Sequence, residues 1–470
     1  MNKKMITLLV GASLVASAGI AAADGTIALY GSSAQAKYWA AQAATYMGAG
    51  GLGCSNIVSA ASIATPATSP ASYAGTTHYQ VTGKNCTNAV ATDVAGTGTL
   101  TFLYTANDSV TGIQSISGTG GDPDGCGSPT KRVMYPANGT ANCQTVHMGV
   151  ADVQASSITQ KNTGHKFGPA GGPIVSPDFS AVAPSAAGMT VLNPKNVGTL
   201  ATPFGFFANK TVTAKQCTAG LVGTYCADPS DVTNGGAGGQ PTANKQCDSY
   251  SGAGDGVCGA AAPITNITRL QAVLLYSGQV YDWSNFGSAF SPVPVVVCAR
   301  TAGSGTQATF DWAIMRAGGT GWGSSTVTSE QIGDDASIPT VYFNNASGDM
   351  MSCINGQNGA IGFADADTVV GTTTNPNVVR LAYNGVFPTR TAVRNGLYDF
   401  YASAWFYTNP GNGATVNALA KDMVTFAQIP TNMAPSKSNY WATVQEMNVW
   451  KTGDKTFPAS VGGANYPMLP

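Results

Sequence analysis

The sequence predicts an α/β fold with two or three domains, and three observations lead there. Short apolar, β-branched runs alternate with segments whose apolar residues recur at helical spacing, the pattern of strands and helices taken in turn. Several of those runs end in Gly, Ser or Asp turns that open a helical pattern, as at the carboxyl ends of strands in open α/β sheets. The chain has 470 residues, of which roughly 450 remain after a leader, enough for more than one sizeable core. No internal repeat recurs at a fixed period.

Taken in order, Lys3 and Lys4 precede an apolar run from Met5 to Ile20, and Ala21-Ala22-Ala23 fits a secretory cleavage site. Residues 1–23 therefore read as a signal peptide, and the product as exported, periplasmic or secreted. The run is too short and too rich in Ala, Gly and Ser to prefer spanning a bilayer, and no Cys marks a lipid anchor. Thr26–Tyr30 is a strand candidate running into Gly31-Ser32-Ser33-Ala34, with a helix through Tyr38, Trp39, Ala43 and Tyr46. Gly48 to Asn88 reads as a stapled surface insertion. Leu100–Tyr104 is the next strand, and a short helix follows from Gly112 to Ile116. Thr145–Asp152 is a strand passing into a loop. Thr202–Ala208 is apolar enough for a buried strand or a crossover between domains. Gln216 to Ala262 is glycine-rich and carries four cysteines, so it reads as a stapled excursion. Thr268 is placed as the N-cap of a helix that stops at Gly278. Gly359–Phe363 reads as a short strand, Tyr398–Tyr407 as β-prone, and Ala414–Ala427 as a helix.

Ten cysteines, even in number and closely spaced, agree with an oxidising compartment. Nearest-neighbour pairing gives Cys54–Cys86, Cys126–Cys143, Cys217–Cys226, Cys247–Cys258 and Cys298–Cys353, although spacing alone leaves connectivity open. No CxxC pair occurs, and neither His78, His147 nor His165 stands at zinc spacing from two cysteines, so no metal and no cofactor are expected. Charged residues are only 10%, and loss of Lys3 and Lys4 with the leader takes the formal charge from −1 to −3. Such a chain lacks the basic footprint of a nucleic-acid or anionic-membrane binder.

The stretch Val295–Phe310, VVVCARTAGSGTQATF, is the most informative. A strand-like run delivers Arg300 to the turn Gly303-Ser304-Gly305-Thr306, and a helical pattern follows from Ala308 to Met315, closed by Gly318-Gly319. The first N–H groups of a helix lack intrahelical partners and lie at its positive end, so this design traps anions. Ser304 and Thr306 add hydroxyl donors, and Arg300 a planar fork of N–H groups. Three other strand-then-loop segments share the design: Gly31-Ser32-Ser33, Asp108-Ser109-Val110-Thr111-Gly112 and Gly149-Val150-Ala151-Asp152.

The order of these segments resembles the phosphate-binding proteins of bacterial ABC phosphate importers. Arg300–Thr306 looks like that family's R-x-D-G-S-G-T motif. Thr268–Gly278 with Val280-Tyr281-Asp282-Trp283 looks like its "L..I..G.i..W" segment, and Gly359–Phe363 like its "gaIGY" element. The resemblance implies a type II periplasmic-binding-protein fold, with a ligand cleft between two α/β domains and Cys-bearing insertions. Domain I would comprise 24–204 plus 405–470, and domain II 205–404 with a Cys-rich insertion at 212–262. Carried over by position, the resemblance assigns phosphate contact to Ser33 and Ala34 (first loop), Ser109 (second), Asp152 (third), and Arg300, Ser304, Gly305 and Thr306 (fourth). An ionised carboxylate at 152 can only accept hydrogen bonds, so it would favour a protonated oxyanion over sulfate. The chain departs from the motif at Ala302, where the family has an aspartate. Arg300 would then be held by another carboxylate, such as Asp108 or Asp152, or be freer to meet a different anion.

Plainer readings stand beside these. Arg300 could serve only as a strand-end arginine, Asp152 as a helix cap or turn former, and Ser33 and Ser109 as turn residues. Asp108 reads as a solvated loop residue, Trp283, Trp312 and Trp405 as packing, and His147 as a satisfied strand histidine. The leading expectation is a monomeric, non-enzymatic solute-binding protein that takes phosphate to an inner-membrane ABC permease. The alternative is a secreted, non-transport protein reusing the fold for adhesion, surface assembly or scavenging of another oxyanion. A phosphatase has little behind it, since no G-x-S-x-G elbow or Ser-His-Asp assembly is evident.

Overall fold

The computed structural model describes residues 24–63, 77–96, 98–134, 142–158, 163–166, 173–175, 190–191, 198–217, 258–315, 341–451, 454 and 459–460. The leader 1–23, the Gly318-Gly319 stop, and Cys226 and Cys247 with their expected pairings lie outside these residues.

Two sheets organise the chain. The first contains β1 (Gly25–Ser32), β2 (Ser55–Ile63), β3 (Thr77–Lys84) and β4 (Thr99–Asn107). A hairpin of β5 (Lys131–Met134) and β6 (Asn142–Thr145) stands apart from it, before β7 (Met148–Ala151). The next strands are β8 (Thr163–Lys166), β9 (Pro173–Val175), β10 (Thr190–Val191) and β11 (Leu200–Asn209). A separate pair, β12 (Thr213–Cys217) and β13 (Cys258–Pro263), is followed by β14 (Asn266–Ile267), β15 (Val296–Arg300) and β16 (Val341–Asn344). Then come β17 (Ala360–Asp365), β18 (Val378–Tyr383), β19 (Tyr401–Ser403), β20 (Trp405–Thr408) and β21 (Ala442–Thr443). The first sheet runs β10-β20-β7-β1-β4-β3-β2, and the second β14-β18-β11-β17-β15-β16-β8-β9. Helices α1 (Ser33–Met47), α2 (Ala89–Ala95) and α3 (Ser109–Ser117) accompany the first sheet; α4 (Arg269–Tyr276), α5 (Gly305–Phe310), α6 (Ser347–Gly356) and α7 (Arg390–Arg394) accompany the second. Helix α8 (Ala414–Gln428) returns to the first, packing against α2. This is the mixed α/β arrangement that the alternating pattern predicts.

Strand β11 is buried along its whole length. Its first residues pair with β19 and β21, and Phe204–Asn209 with β17 and β18. The chain returns beside it at Ala404, whose N–H donates to the Leu200 carbonyl. The apolar run Thr202–Ala208 is therefore a buried strand. One segment departs from the expected division: β8 lies in the range assigned to the first domain, yet pairs with β16 at the edge of the second sheet. Register, not sequence range, decides sheet membership there.

The region expected as a stapled insertion at 48–88 is also different. β2 and β3 extend the first sheet, β3 pairing antiparallel with β4 from Thr77↔Ala106 to Lys84↔Thr99. The Cys54–Cys86 disulfide ties the start of β2 to the end of β3. Ser, Thr, Ala and Gly dominate the segment as a whole, which gives it a loop-like composition although Tyr79 and Val81 stand at strand spacing. Cys126–Cys143 links the β5–β6 hairpin to the loop before it, and Cys298–Cys353 joins β15 to α6. Thr268 caps α4 in a reciprocal box with Gln271, and Gly278 takes φ 68° just past its end. The helix expected after the Gly303–Thr306 turn begins earlier, at Gly305, and passes into a π-helical turn at Asp311–Met315.

Strand register places the functional loops. β1 and β4 run parallel from Gly25↔Leu100 to Ser32↔Asn107, and β7 pairs Gly31 with Val150, so three carboxyl ends lie level. In the second sheet β15 is parallel to both β16 (Arg300↔Asn344) and β17 (Val297↔Ile361). The two sets of strand ends meet: the Val110 N–H, in the first turn of α3, donates to the Gly303 carbonyl at 3.1 Å. Apolar residues reinforce that meeting, since Ala302 and Ala308 belong to one buried cluster with Tyr30, Val110, Ile113 and Trp405.

Candidate functional site

Asp152 is the centre of the meeting point. It directly follows β7 and is 4% exposed. The Ser32 hydroxyl donates to its Oδ1, and the Ser109 hydroxyl to its Oδ2 at 3.3 Å, while the Asp152 N–H donates to Ser109 Oγ at 3.0 Å. Burial raises this carboxyl from the ordinary value to about 6, with nearby Asp365 adding to the rise and the Ser32, Gln35 and Ser109 hydrogen bonds opposing it. Gln35 in α1 braces the same loop, its Nε2 donating to the Ala151 carbonyl at 2.8 Å.

Three helices begin around this carboxylate. Ser32 is the N-cap of α1, its hydroxyl accepting from the Gln35 N–H, and Ser33 and Ala34 are the first two helical residues. Asp108 caps α3 by accepting from the Thr111 N–H at 2.8 Å, leaving Ser109 as the first helical residue. Asp108 is thus a cap and not a solvated loop residue, and burial raises its carboxyl above the usual range despite the Thr111 bonds and Arg300. Ser304 caps α5 through the Gln307 N–H, followed by Gly305 and Thr306. These first-turn N–H groups have no intrahelical acceptors.

Packing forces the approach. A β-carbon on Gly305 would overlap the Ser109 hydroxyl and stand 2.8 Å from Asp152 Cβ, so only glycine fits where the second sheet's turn meets the first sheet's loops. Gly303 turns the chain there with φ 87°. Behind α5, Phe310 stacks on Phe363 of β17 at 4.4 Å between ring centroids.

Arg300, at the end of β15, is 3% exposed. Its Nε donates to the Asn344 carbonyl (3.1 Å), Nη2 to the Asn345 carbonyl (2.7 Å) and Nη1 to Ser347 Oγ (3.3 Å). Its own N–H donates to Gln307 Oε1 at 3.0 Å, tying the strand end to α5. The β16–α6 turn thus holds the guanidinium where the chain carries Ala302. Burial lowers its proton affinity, while Asp365, Asp108, Asp152 and Asp349 act in the opposite sense.

Sequence reasoning did not pick out Ser32, Lys37 or Asp365. Lys37 of α1 and Asp365 at the end of β17 form an ion pair that bridges the two sheets' helices and strands. Asp365 is 1% exposed; burial opposes its charge, yet Lys37, Lys437 and Arg300 hold its carboxyl below the usual range. Ser32 lay one residue before the assigned Ser33, and a capping preference could have found it. Asp365 stands two residues after the Gly359–Phe363 element, but nothing in sequence links it to Lys37. Among the described residues no group of three or more His, Cys, Asp or Glu could hold a metal ion. His147 Nδ1 accepts from the Ala28 N–H, as a satisfied strand histidine would.

No protein-family model matches the chain, and no curated protein matches it. Among solved structures it is similar to a putative phosphate ABC transporter substrate-binding protein with bound phosphate from Clostridium perfringens. Identity is 11% and TM-score 0.42, over 87% of this chain and 94% of that one. It is also similar to a high-affinity periplasmic phosphate-binding protein bound with phosphate, at 12% identity and TM-score 0.42, covering 92% of each chain. A phosphate-binding protein from Stenotrophomonas maltophilia matches at 10% identity and TM-score 0.39, over 82% of this chain and 78% of that one.

Proposed function

We propose that the chain is an exported, non-enzymatic solute-binding protein that captures phosphate between two α/β domains and presents it to an ABC permease. The observation that carries this reading is the buried Asp152 carboxylate, ringed by the Ser32 and Ser109 hydroxyls, abutted by Gly305 and within the field of Arg300. Helix first turns at Ser33-Ala34, Ser109 and Gly305-Thr306 offer N–H donors to an oxyanion, and Ser304 and Arg300 stand beside them. An acceptor at the centre of a donor-rich site suits an oxyanion that still carries a proton. Domain I would be 24–204 with 405–470 and domain II 205–404, the crossings at β11 and Ala404 acting as the hinge.

Equilibrium binding of radiolabelled phosphate to the purified chain tests this. Saturable binding undiminished by excess sulfate is expected; absence of saturable phosphate binding at every pH overturns it.

A further inference from the structure

Asp365, buried at the end of β17, is a second carboxylate, and its charge is felt at Asp152. Its Oδ2 is taken by Lys37, and its buried Oδ1 has no hydrogen-bond partner. A buried acceptor without a donor is costly, and a ligand that brings a donor relieves that cost. The Lys437–Asp367 ion pair nearby leaves Asp367 Oδ1 in the same condition, but Asp365 is the one within electrostatic reach of both Arg300 and Asp152.

The surrounding charges point the same way. Asp108, Asp152 and Asp365 close the strand ends, with Asp349 on α6 and Asp367 after β17. Against them stand Arg300, Lys37 and Lys437, with Tyr104 beside Asp152 and Tyr79 beside Lys37, both kept neutral by burial. Carboxylates outnumber cations, so each further unit of ligand charge meets an opposing field.

Resting on the oxyanion reading, we propose that Asp365 acts with Asp152 to select the singly charged, doubly protonated form of phosphate, each carboxylate accepting from one ligand O–H. The ligand is H₂PO₄⁻, and no proton is transferred on binding. Above the range where dihydrogen phosphate is the main free species, capturing it takes up one proton from solution, so affinity falls about tenfold per pH unit. Below about pH 6 Asp152 itself takes up a proton, stops being a pure acceptor, and affinity falls again.

Calorimetric titration of the full chain with inorganic phosphate, from about pH 5 to about pH 9, tests this. The wild type should show a maximum in the slightly acidic range and a tenfold-per-unit decline on its alkaline side. Asp365→Asn should flatten that decline, because the amide donates to the dianion's extra lone pairs, while circular dichroism reports whether the variant folds. Saturable binding whose affinity holds or rises with pH in the wild type overturns the proposal, whether or not the variant folds, and leaves the phosphate reading intact. An unchanged alkaline slope in a folded Asp365→Asn protein also overturns it. Complete absence of phosphate binding at every pH removes the oxyanion reading itself.

Discussion

At the scale of single residues, Asp152 sets function against stability. Burial raises its carboxyl to about 6, so the folded chain holds this proton more tightly than the unfolded chain does. The sign follows: the fold gains stability as pH falls from about 6 towards the ordinary carboxylate value, and forfeits it above 6. Asp152→Asn should therefore stabilise the fold at neutral pH by on the order of 2 kcal/mol and so raise the thermal midpoint, while weakening phosphate and relaxing exclusion of sulfate. A midpoint that falls, or intact selectivity in a titration, contradicts the role given to Asp152. Arg300→Ala should cut phosphate affinity by roughly a hundredfold or more, since charge-assisted bonds are the strong ones; the same titration measures it. Gly305→Ala should be comparably harmful for a different reason, its methyl overlapping the Ser109 hydroxyl. Circular dichroism of that variant should remain native, because the clash lies between the two sheets and not within either core.

Elements place these residues, and the elements differ in how plainly the sequence announces them. Helix α4 declares itself through Thr268, Gln271 and Gly278, and Thr268→Ala should cost about 1 kcal/mol in denaturant unfolding without touching ligand affinity, because the bonds of the capping box run between Thr268 and Gln271 and reach no site loop. Helix α5 was legible from Gly303-Ser304-Gly305-Thr306, although its π-helical continuation was not. Phe310→Ala should destabilise by roughly 3–5 kcal/mol and weaken binding too, since the Phe310–Phe363 stack seats the helix whose first turn faces Asp152; paired unfolding and binding curves show both effects. Strands β2 and β3 are harder to read, because Ser, Thr, Ala and Gly dominate 48–88 and mask short strands such as Tyr79–Val81; pairing of β3 with β4 and of β2 with β3 makes them part of the sheet. Close approach of β1, β7 and α3 depends on Gly31, Gly112 and Gly149, each of which abuts backbone of a neighbouring element.

At the scale of the whole molecule, two ion pairs among the described residues join the end of β17 to segments packed on the first sheet: Lys37–Asp365 and Lys437–Asp367. Both aspartates follow or end β17, and both lysines come from segments that pack on the first sheet. Lys437→Met should leave each half folded yet let them separate, increasing the radius of gyration in small-angle scattering relative to wild type. Unchanged scattering would mean that Ala302, Ala308 and the Val110–Gly303 bond suffice to hold the halves. The sequence by itself determined the α/β class, the loops that end strands in Gly, Ser and Asp, and the cation at Arg300, because these are local matters of periodicity, turn chemistry and helix termini. The tertiary structure alone decided that Ser32 and not Ser33 donates its hydroxyl to Asp152, that Asn344, Asn345 and Ser347 hold Arg300 in a chain with Ala302, and that Lys37 meets Asp365. Those partners lie tens to hundreds of residues apart in the chain, and only strand register and the packing of two sheets bring them within bonding distance.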